Sequence, residues 1–203
     1  MDKHRQKKDD FERLIVRSVR LWASIEDYMA ITLNACINNG HMGLRIFHSM
    51  ESTRARFTVT DVAFNSLCSG HERASEIGEA WAWGFKRIQK CTKIRNEIVH
   101  GTIASFKTAS GKLVWRLTAP LTDPDALVPA FKNRQLPGKS AEDLQQIIDK
   151  FERISEYALM ATELPKAIHA GDDEALQKTL RQLERHRPSV VCRRGGDQTP
   201  QGH

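Results

Sequence analysis

The sequence lacks the patterns that identify several common classes of protein. No apolar run approaches the roughly 20 residues that a membrane-spanning helix needs. The first residues, MDKHRQKKDDFERL, are charged where a signal peptide would be apolar. Neither a glycine-rich nucleotide-binding loop nor a short helix-turn-helix with a basic recognition helix is present. We therefore expect a cytoplasmic protein with no membrane segment, and a DNA-binding regulator is disfavoured.

The cysteines form no pattern that predicts a metal site or a redox site. Cys36, Cys68, Cys91 and Cys192 are scattered singly, with no C-x-x-C pair and no histidine at metal-ligand spacing beside them. We expect buried thiols rather than zinc ligands. Nothing in the sequence predicts a metal or a cofactor.

The body of the chain has no excess of positive charge, although the whole chain carries +6. Residues 1–8 and residues 185–203 each contribute half of that excess, and the residues between them have equal numbers of basic and acidic side chains. We predict a basic N-terminal arm at 1–8 and a disordered basic tail at 188–203, since the tail has nothing to bury. Such ends either add non-specific phosphate affinity or are solvated.

The residues that are present repeat mainly with helical periodicity. Apolar residues with a period of 3.6 predict a long helix from Phe11 to Cys36, capped by Asp9 or Asp10. One or two shorter helices are expected over 41–69, the later one starting at a threonine or aspartate of TVTDVAFNSL. A second long helix is predicted from about Glu72 to Gly101, where the glycine would take a left-handed conformation.

The pattern changes after Gly101. The segments TIASFKT and KLVWRLT flank ASG and predict a β-hairpin at about 102–118. Ser140 and Asp143 then fit a capping box that starts another helix, which Pro165 should bend or end, and Asp172 and Asp173 start a last one. The fold class predicted is all-α: a helical bundle over 9–187, forming a single domain, with a small hairpin inserted after the second long helix.

The candidate functional motif is RNEIVH, Arg95 to His100, at the end of that helix. An R-x4-H spacing alone is weak, because the chain has a second match, Arg181 to His186, and chance supplies about as many. Here, however, Asn96 follows the arginine directly and the helix is largely apolar. In these respects the segment resembles the HEPN superfamily, helical-bundle proteins whose signature is R-x4-6-H with a polar residue after the arginine.

The resemblance implies a function and a set of site residues. Many such proteins are metal-independent endoribonucleases of toxin-antitoxin or antiviral systems, while others only bind RNA or protein. It implies that His100 transfers protons, Arg95 holds the scissile phosphate and Asn96 orients one or the other. Thr102 stands where a related variant of the motif has a tyrosine, so modification of that tyrosine by a partner nucleotidyltransferase is not expected.

Helix geometry adds a condition to this hypothesis. Residues four apart on a helix lie about 40° apart and residues five apart about 140° apart. Asn96 and His100 therefore share a face, whereas Arg95 and His100 do not. Two motifs that meet across a twofold axis would place an arginine beside the other histidine, so we expect a homodimer.

Two neighbouring groups complete the candidate site, and each also has a plainer interpretation. Lys86, Arg87, Lys90 and Lys93 form a basic stripe that would hold an RNA backbone or is simply a solvated helix face. Glu26 and Asp27 could support Arg95 or Arg87, although exposed acids are commoner. The alternative function is a non-catalytic interaction or dimerisation module whose motif only stabilises a helix end. A protein antitoxin is a possible partner.

Overall fold

The computed structural model describes residues 3–108, 110–119 and 136–187. The helices are α1 (Lys3–Ile37), α2 (Met42–Ser49), α3 (Thr53–Cys68), α4 (Ala74–Val99), α5 (Ala141–Ala161), α6 (Glu163–Ala170) and α7 (Asp173–Arg185). Strands β1 (Thr102–Lys107) and β2 (Leu113–Thr118) form an antiparallel hairpin. The prediction of a mainly helical protein with one small hairpin after the second long helix is confirmed. The predicted tail, 188–203, lies outside the described residues.

Helix α1 is the central element of the bundle. It packs most extensively against α5 and also contacts α2, α3, α4 and α6. Its buried stripe, which includes Trp22, Ile25, Met29 and Leu33, contributes to the main hydrophobic core. A single helix cannot bury its own apolar face, so the other helices of the bundle pack over this stripe of α1.

The predicted start of α1 is wrong. The helix begins at Lys3, so the described residues of the expected N-terminal arm are its first turns. Asp10 does not act as a cap, because its side chain accepts a hydrogen bond from Gln6 and lies 3.6 Å from Arg13 within the helix. Pairs of this kind at i, i+3 and i, i+4 stabilise an exposed helix end.

The one or two short helices expected over 41–69 are two, α2 and α3, but α3 begins earlier than predicted. Its cap is Ser52, whose hydroxyl accepts a hydrogen bond from the Ala55 amide at 3.1 Å. The predicted cap residues therefore lie inside the helix, and Asp61 instead accepts a hydrogen bond from Trp81 Nε1 at 2.7 Å. That bond links α3 to α4, where the Trp81 ring also stacks on Phe64.

The hairpin and α5 are held together at one end of the bundle. Leu117 and Lys139 exchange two backbone hydrogen bonds, of 3.0 and 2.8 Å, so the residue just before α5 pairs with β2. Gly138 has φ +81, and a Cβ there would lie 2.4 Å from the Leu117 oxygen, so only glycine fits. The predicted capping box of Ser140 and Asp143 then starts α5.

The predicted start of the last helix is confirmed, but the chain before it differs from the prediction. Helix α5 ends at Ala161, and Pro165 lies in the first turn of α6, a separate helix that was not predicted. Helix α6 ends at Ala170, and its C-cap Gly171 has φ +61. Asp172 caps α7 by accepting a hydrogen bond from the Ala175 amide. No helix within the described ranges is long and apolar enough to cross a membrane.

Candidate functional site

The RNEIVH motif forms the last turns of α4. His100 is the C-cap residue, and its backbone amide donates to the Asn96 oxygen at 3.0 Å. Gly101 does not have the left-handed conformation that we predicted, since its φ is not positive. A Cβ at this position would lie 2.7 Å from both the Glu97 oxygen and Leu117 Cδ1. The glycine is therefore needed because the hairpin passes close to the helix end.

Arg95 lies on the core side of α4. At 100° per residue it continues the row of Ile88 and Cys91, which are both buried. Its side chain is half-buried, Nη1 donates to Asn96 Oδ1 at 3.2 Å, and Nε is buried without a hydrogen-bond partner. An unpaired buried donor of a charged group costs free energy, which makes Arg95 an unusual residue in this helix.

His100 is exposed and faces a different space from Arg95. It lines an open cleft between the end of α4, strand β2 and α5, and Arg95 is not among the residues that line this cleft. In the cleft, Glu97 pairs with Lys139 at 2.7 Å. The imidazole of His100 makes no hydrogen bond or ion pair with any other residue that the structure describes. The two motif residues are thus separated within one protomer, as their spacing predicts.

The predicted basic stripe divides into two parts. Lys86, Lys90 and Lys93 are exposed, and together with His100 they span about 80° of the helix circumference. Within the described residues these three lysines form no ion pair. Arg87 differs from the lysines because it lines the pocket between α4 and α5. Its Cζ lies 3.6 Å from the centre of the ring of Trp83, on α4 itself, and Nη1 donates to the Trp83 oxygen at 3.1 Å.

The expected support from Glu26 and Asp27 is not found. Glu26 Oε1 accepts a hydrogen bond from Thr53 Oγ1 at 3.0 Å, at the start of α3. Among the described residues, no ion pair joins Glu26 or Asp27 to Arg95 or Arg87. The physical reason is that this part of α1 faces α3, a packing arrangement that helical periodicity does not reveal.

Several residues of the seam between α4 and α5 were not identified from the sequence. Lys150 and Arg153 line the cleft of His100 and also a smaller pocket that contains Trp83 and Arg87. Their spacing of three predicts a shared helix face. Nothing in the sequence shows that this face meets α4, and His186, which we had assigned to the second, incidental motif, lines the smaller pocket as well.

The cysteines are poor candidates for chemistry. Burial raises the pKa of Cys36 to about 12 and that of Cys68 to about 11, and it also raises the pKa of Cys91. These thiols stay protonated at neutral pH and are weak nucleophiles. Over the ranges that the structure describes, no group of three or more histidine, cysteine, aspartate or glutamate residues could hold a metal ion.

Comparison with protein-family models, with curated proteins and with solved structures finds no match for this chain. The arrangement at the end of α4 and along the α4–α5 seam is therefore the basis for a functional assignment.

Proposed function

We propose that the chain is a HEPN-like RNA-binding protein that cleaves RNA as a homodimer, without a metal, in a toxin-antitoxin or antiviral defence system. The observation that carries this proposal is the position of His100. Its exposed, unpaired imidazole continues the row of Lys86, Lys90 and Lys93 at the end of α4. A row of cations attracts a phosphodiester backbone and would lead it to the histidine.

The reaction is attack by the 2'-hydroxyl of the RNA on the adjacent phosphorus. The hydroxyl proton passes to an imidazole, the bond from phosphorus to the 5'-oxygen breaks, and that oxygen takes up a proton. The products are a 2',3'-cyclic phosphate and a 5'-hydroxyl. Histidine suits both proton transfers, because its reference pKa of about 6.5 is close to neutral pH.

The second protomer supplies what one motif lacks. Arg95 lies about 140° from His100 on α4, so it would contact the phosphate at the His100 of the partner subunit. Val99 supports this arrangement, since it follows Arg95 by one turn and is an apolar side chain that is 42% exposed. Contact with a second copy would cover Val99, and the substrate phosphate would accept hydrogen bonds from the Arg95 guanidinium.

The test is cleavage of single-stranded RNA by the purified protein in EDTA, with the ends of the products identified. We expect cyclic phosphate or 3'-phosphate ends, and we expect His100→Ala and Arg95→Ala each to lower the rate by about 10²- to 10⁴-fold, the usual effect of removing a group that acts in proton transfer or charge stabilisation.

Matched controls are His41→Ala and Arg54→Ala, which remove exposed side chains of the same types far from α4 in the sequence. Both should cleave at the wild-type rate with an unchanged melting temperature. Absence of cleavage across RNAs of varied sequence, combined with a His100→Ala variant that only loses thermal stability, would show that the motif is a helix end and not an active site.

The alternative is a non-catalytic interaction module of the same fold, and one observation favours it. Val16 and Val19, one turn apart on α1, are 48% and 39% exposed, and Ile31 further along the helix is 40% exposed. Exposed apolar side chains that cluster on a surface are typical of a site that binds another protein, such as an antitoxin. Under this alternative, substitutions on α1 would abolish partner binding and His100→Ala would not.

A further inference from the structure

A small pocket opens between α4 and α5, apart from the RNEIVH motif. Helix α4 contributes Trp83, Gly84 and Arg87, helix α5 contributes Lys150, Arg153, Ile154 and Tyr157, and His186 follows α7. The volume of the pocket is about 160 Å³. Cavities of about 150 Å³ hold a molecule of the size of benzene, so a ligand with one ring would fill this space.

The floor of the pocket is apolar and is fixed by a close approach of the two helices. A Cβ on Gly84 would overlap the ring of Tyr157, so the glycine allows that ring to lie directly on α4. The Tyr157 hydroxyl donates to the Ala80 oxygen, and the centres of the Trp83 and Tyr157 rings are 4.9 Å apart. Together with Ile154, these rings form an apolar surface that exists before a ligand binds, which lowers the entropic cost of binding.

The rim of the pocket carries two guanidinium groups. Arg87 lies over the Trp83 ring, with Cζ 3.6 Å from the ring centre, and its Nη1 donates to the Trp83 oxygen. Arg153 Nε donates to the Asp149 oxygen at 3.2 Å. An arginine has five N–H groups, and within the described part of the chain each of these two uses a single one. The remaining N–H groups can donate to an anion in the pocket.

The protein does not neutralise the positive charge of the rim. No acidic side chain is among the described residues that line the pocket, and Arg87, Lys150 and Arg153 form no ion pair with any residue that the structure describes. Lys150 lies beside the Cys91 thiol, and burial raises the pKa of that thiol, so it is an uncharged neighbour at neutral pH. Cations held together without counter-charges repel each other, and an anion between them would remove this cost.

We infer that the pocket binds a small carboxylic acid with a ring-sized apolar body, in its carboxylate form. The ring would lie on Trp83, Ile154 and Tyr157, and the carboxylate would accept hydrogen bonds from Arg87 and Arg153. A guanidinium matches a carboxylate because two parallel N–H groups meet two oxygens. Burial of the apolar body adds to the affinity in proportion to the area that leaves water. The inference goes beyond the proposed function, because none of these contacts involves RNA.

The combination of floor and rim selects among anions. Inorganic phosphate would pair with the arginines but would leave the apolar floor in contact with water. A much larger organic anion would exceed the volume of about 160 Å³. An aromatic acid such as benzoate has both the size and the two kinds of surface that the pocket offers.

The experiment is a titration of the isotope-labelled full chain with benzoate, benzamide, acetate and inorganic phosphate, followed by NMR. Benzamide keeps the ring and loses the charge, whereas acetate and phosphate keep the charge and lose the ring. We expect saturable shifts of the Trp83 indole signal, assigned with Trp83→Phe, when benzoate is added. The affinity for benzoate should be at least about tenfold higher than for each of the other three, since one charged hydrogen bond accounts for a factor of this size.

Two double variants locate the site. Arg87→Gln combined with Arg153→Gln removes both guanidinium groups and should weaken benzoate binding by at least about tenfold. Lys178→Gln combined with Arg181→Gln removes the same charge from exposed positions of α7 and should leave the affinity unchanged. Arg153 is exposed, so Arg153→Gln alone gives the comparison if the first double variant fails to fold.

The other outcomes of this experiment would overturn the inference. Equal affinity for benzamide would mean that the rim does not recognise charge, and equal affinity for acetate or phosphate would mean that the floor does not bind the ring. An equal loss in the α7 variant, or shifts that never saturate with benzoate, would mean that the pocket is not a specific site. RNA cleavage is measured without benzoate, so its failure would refute the proposed reaction and leave this site intact.

Discussion

Gly101 shows how a single residue at the site is constrained by its neighbours. A Cβ would lie 2.7 Å from the backbone oxygen of Glu97, and a backbone atom of a helix cannot move aside cheaply. We expect Gly101→Ala to lower the free energy of unfolding by about 1–3 kcal/mol, the usual cost of overpacking. Urea denaturation followed by circular dichroism would measure this.

Gly78→Ala, within α4 itself, is the control for this substitution. No atom lies within 4 Å of a Cβ placed on Gly78. Alanine should therefore raise the free energy of unfolding by about 0.5–1 kcal/mol through its helix propensity. Equal destabilisation by both substitutions would show that the close approach of the hairpin is not what requires glycine at Gly101.

For the motif residues, the sequence predicts their angular positions around the helix but not the residues that surround them. The separation of Arg95 from His100 follows from 3.6 residues per turn, and the structure agrees with it. The buried Nε of Arg95 and the contact of Glu26 with Thr53 depend on which helices become neighbours. Such contacts join residues distant in the chain, and a local pattern carries no information about them.

At the scale of the element, α5 depends on a capping box that responds to pH. Asp143 Oδ2 accepts hydrogen bonds from the amide and hydroxyl of Ser140, at 2.7 and 2.8 Å, and these bonds lower the pKa of the carboxyl. Burial of the carboxyl opposes this shift in part, and the nearby charges of Arg116 and Lys139 lower the pKa further. Because the folded-state pKa is below that of the unfolded chain, about 3.9, the stabilisation is present above that pH and is lost as the pH falls through the folded value.

The corresponding prediction uses two variants. Ser140→Ala should lower the free energy of unfolding by about 1 kcal/mol at neutral pH, the typical value for an N-cap residue. Asp143→Asn should also be destabilising near neutral pH, but its difference from the wild type should shrink below about pH 4. Urea titrations over a series of pH values would measure both. Parallel curves for wild type and Asp143→Asn down to pH 3 would contradict the role of this carboxylate.

The starts of helices were predictable only where the signal was local and unambiguous. Ser140 and Asp143 form a short motif followed by an apolar stripe, and α5 starts there. For α1 and α3 the sequence offered more than one residue able to cap. Helix α1 extends past its predicted caps, and residues such as Lys8 and Glu12 form favourable pairs along its first turns. Helix α3 starts before its predicted caps because Ser52 caps it instead.

At the scale of the whole molecule, the proposed reaction requires a twofold dimer at the end of α4. We expect the wild type to be a dimer at tens of micromolar in light scattering. Val99→Glu should shift it to a monomer, because the substitution would place a charge in the apolar part of the interface. RNA cleavage should fall together with dimerisation.

Val62→Glu is the control for that substitution. Val62 is 61% exposed on α3, and a glutamate there remains in water. The variant should stay dimeric and active. A monomeric wild type would remove the geometric basis for placing Arg95 beside a second His100, and a dimer unaffected by Val99→Glu would place the interface elsewhere.

The fold class of the molecule was predictable from the sequence, whereas the contact between α4 and α5 was not. Helical periodicity and a hairpin turn are properties of neighbouring residues, so the bundle and the inserted hairpin could be inferred. The pocket arises where Gly84 meets Tyr157 across two helices. From the sequence alone, Gly84 is an ordinary glycine within a helix. Only the structure shows that the ring of Tyr157 fills the space that a Cβ on Gly84 would need.

The backbone bridge between Leu117 and Lys139 bears on how this protein can change over evolution. It joins the two ends of the connection between β2 and α5, and Ala119 and Pro137, which lie at these ends, both line the cleft of His100. Closing a longer chain between fixed ends costs only about 0.6 kcal/mol for each doubling of its length. Lengthening this connection would therefore cost the bundle little stability, and it would add residues next to the cleft of His100 without changing the helices.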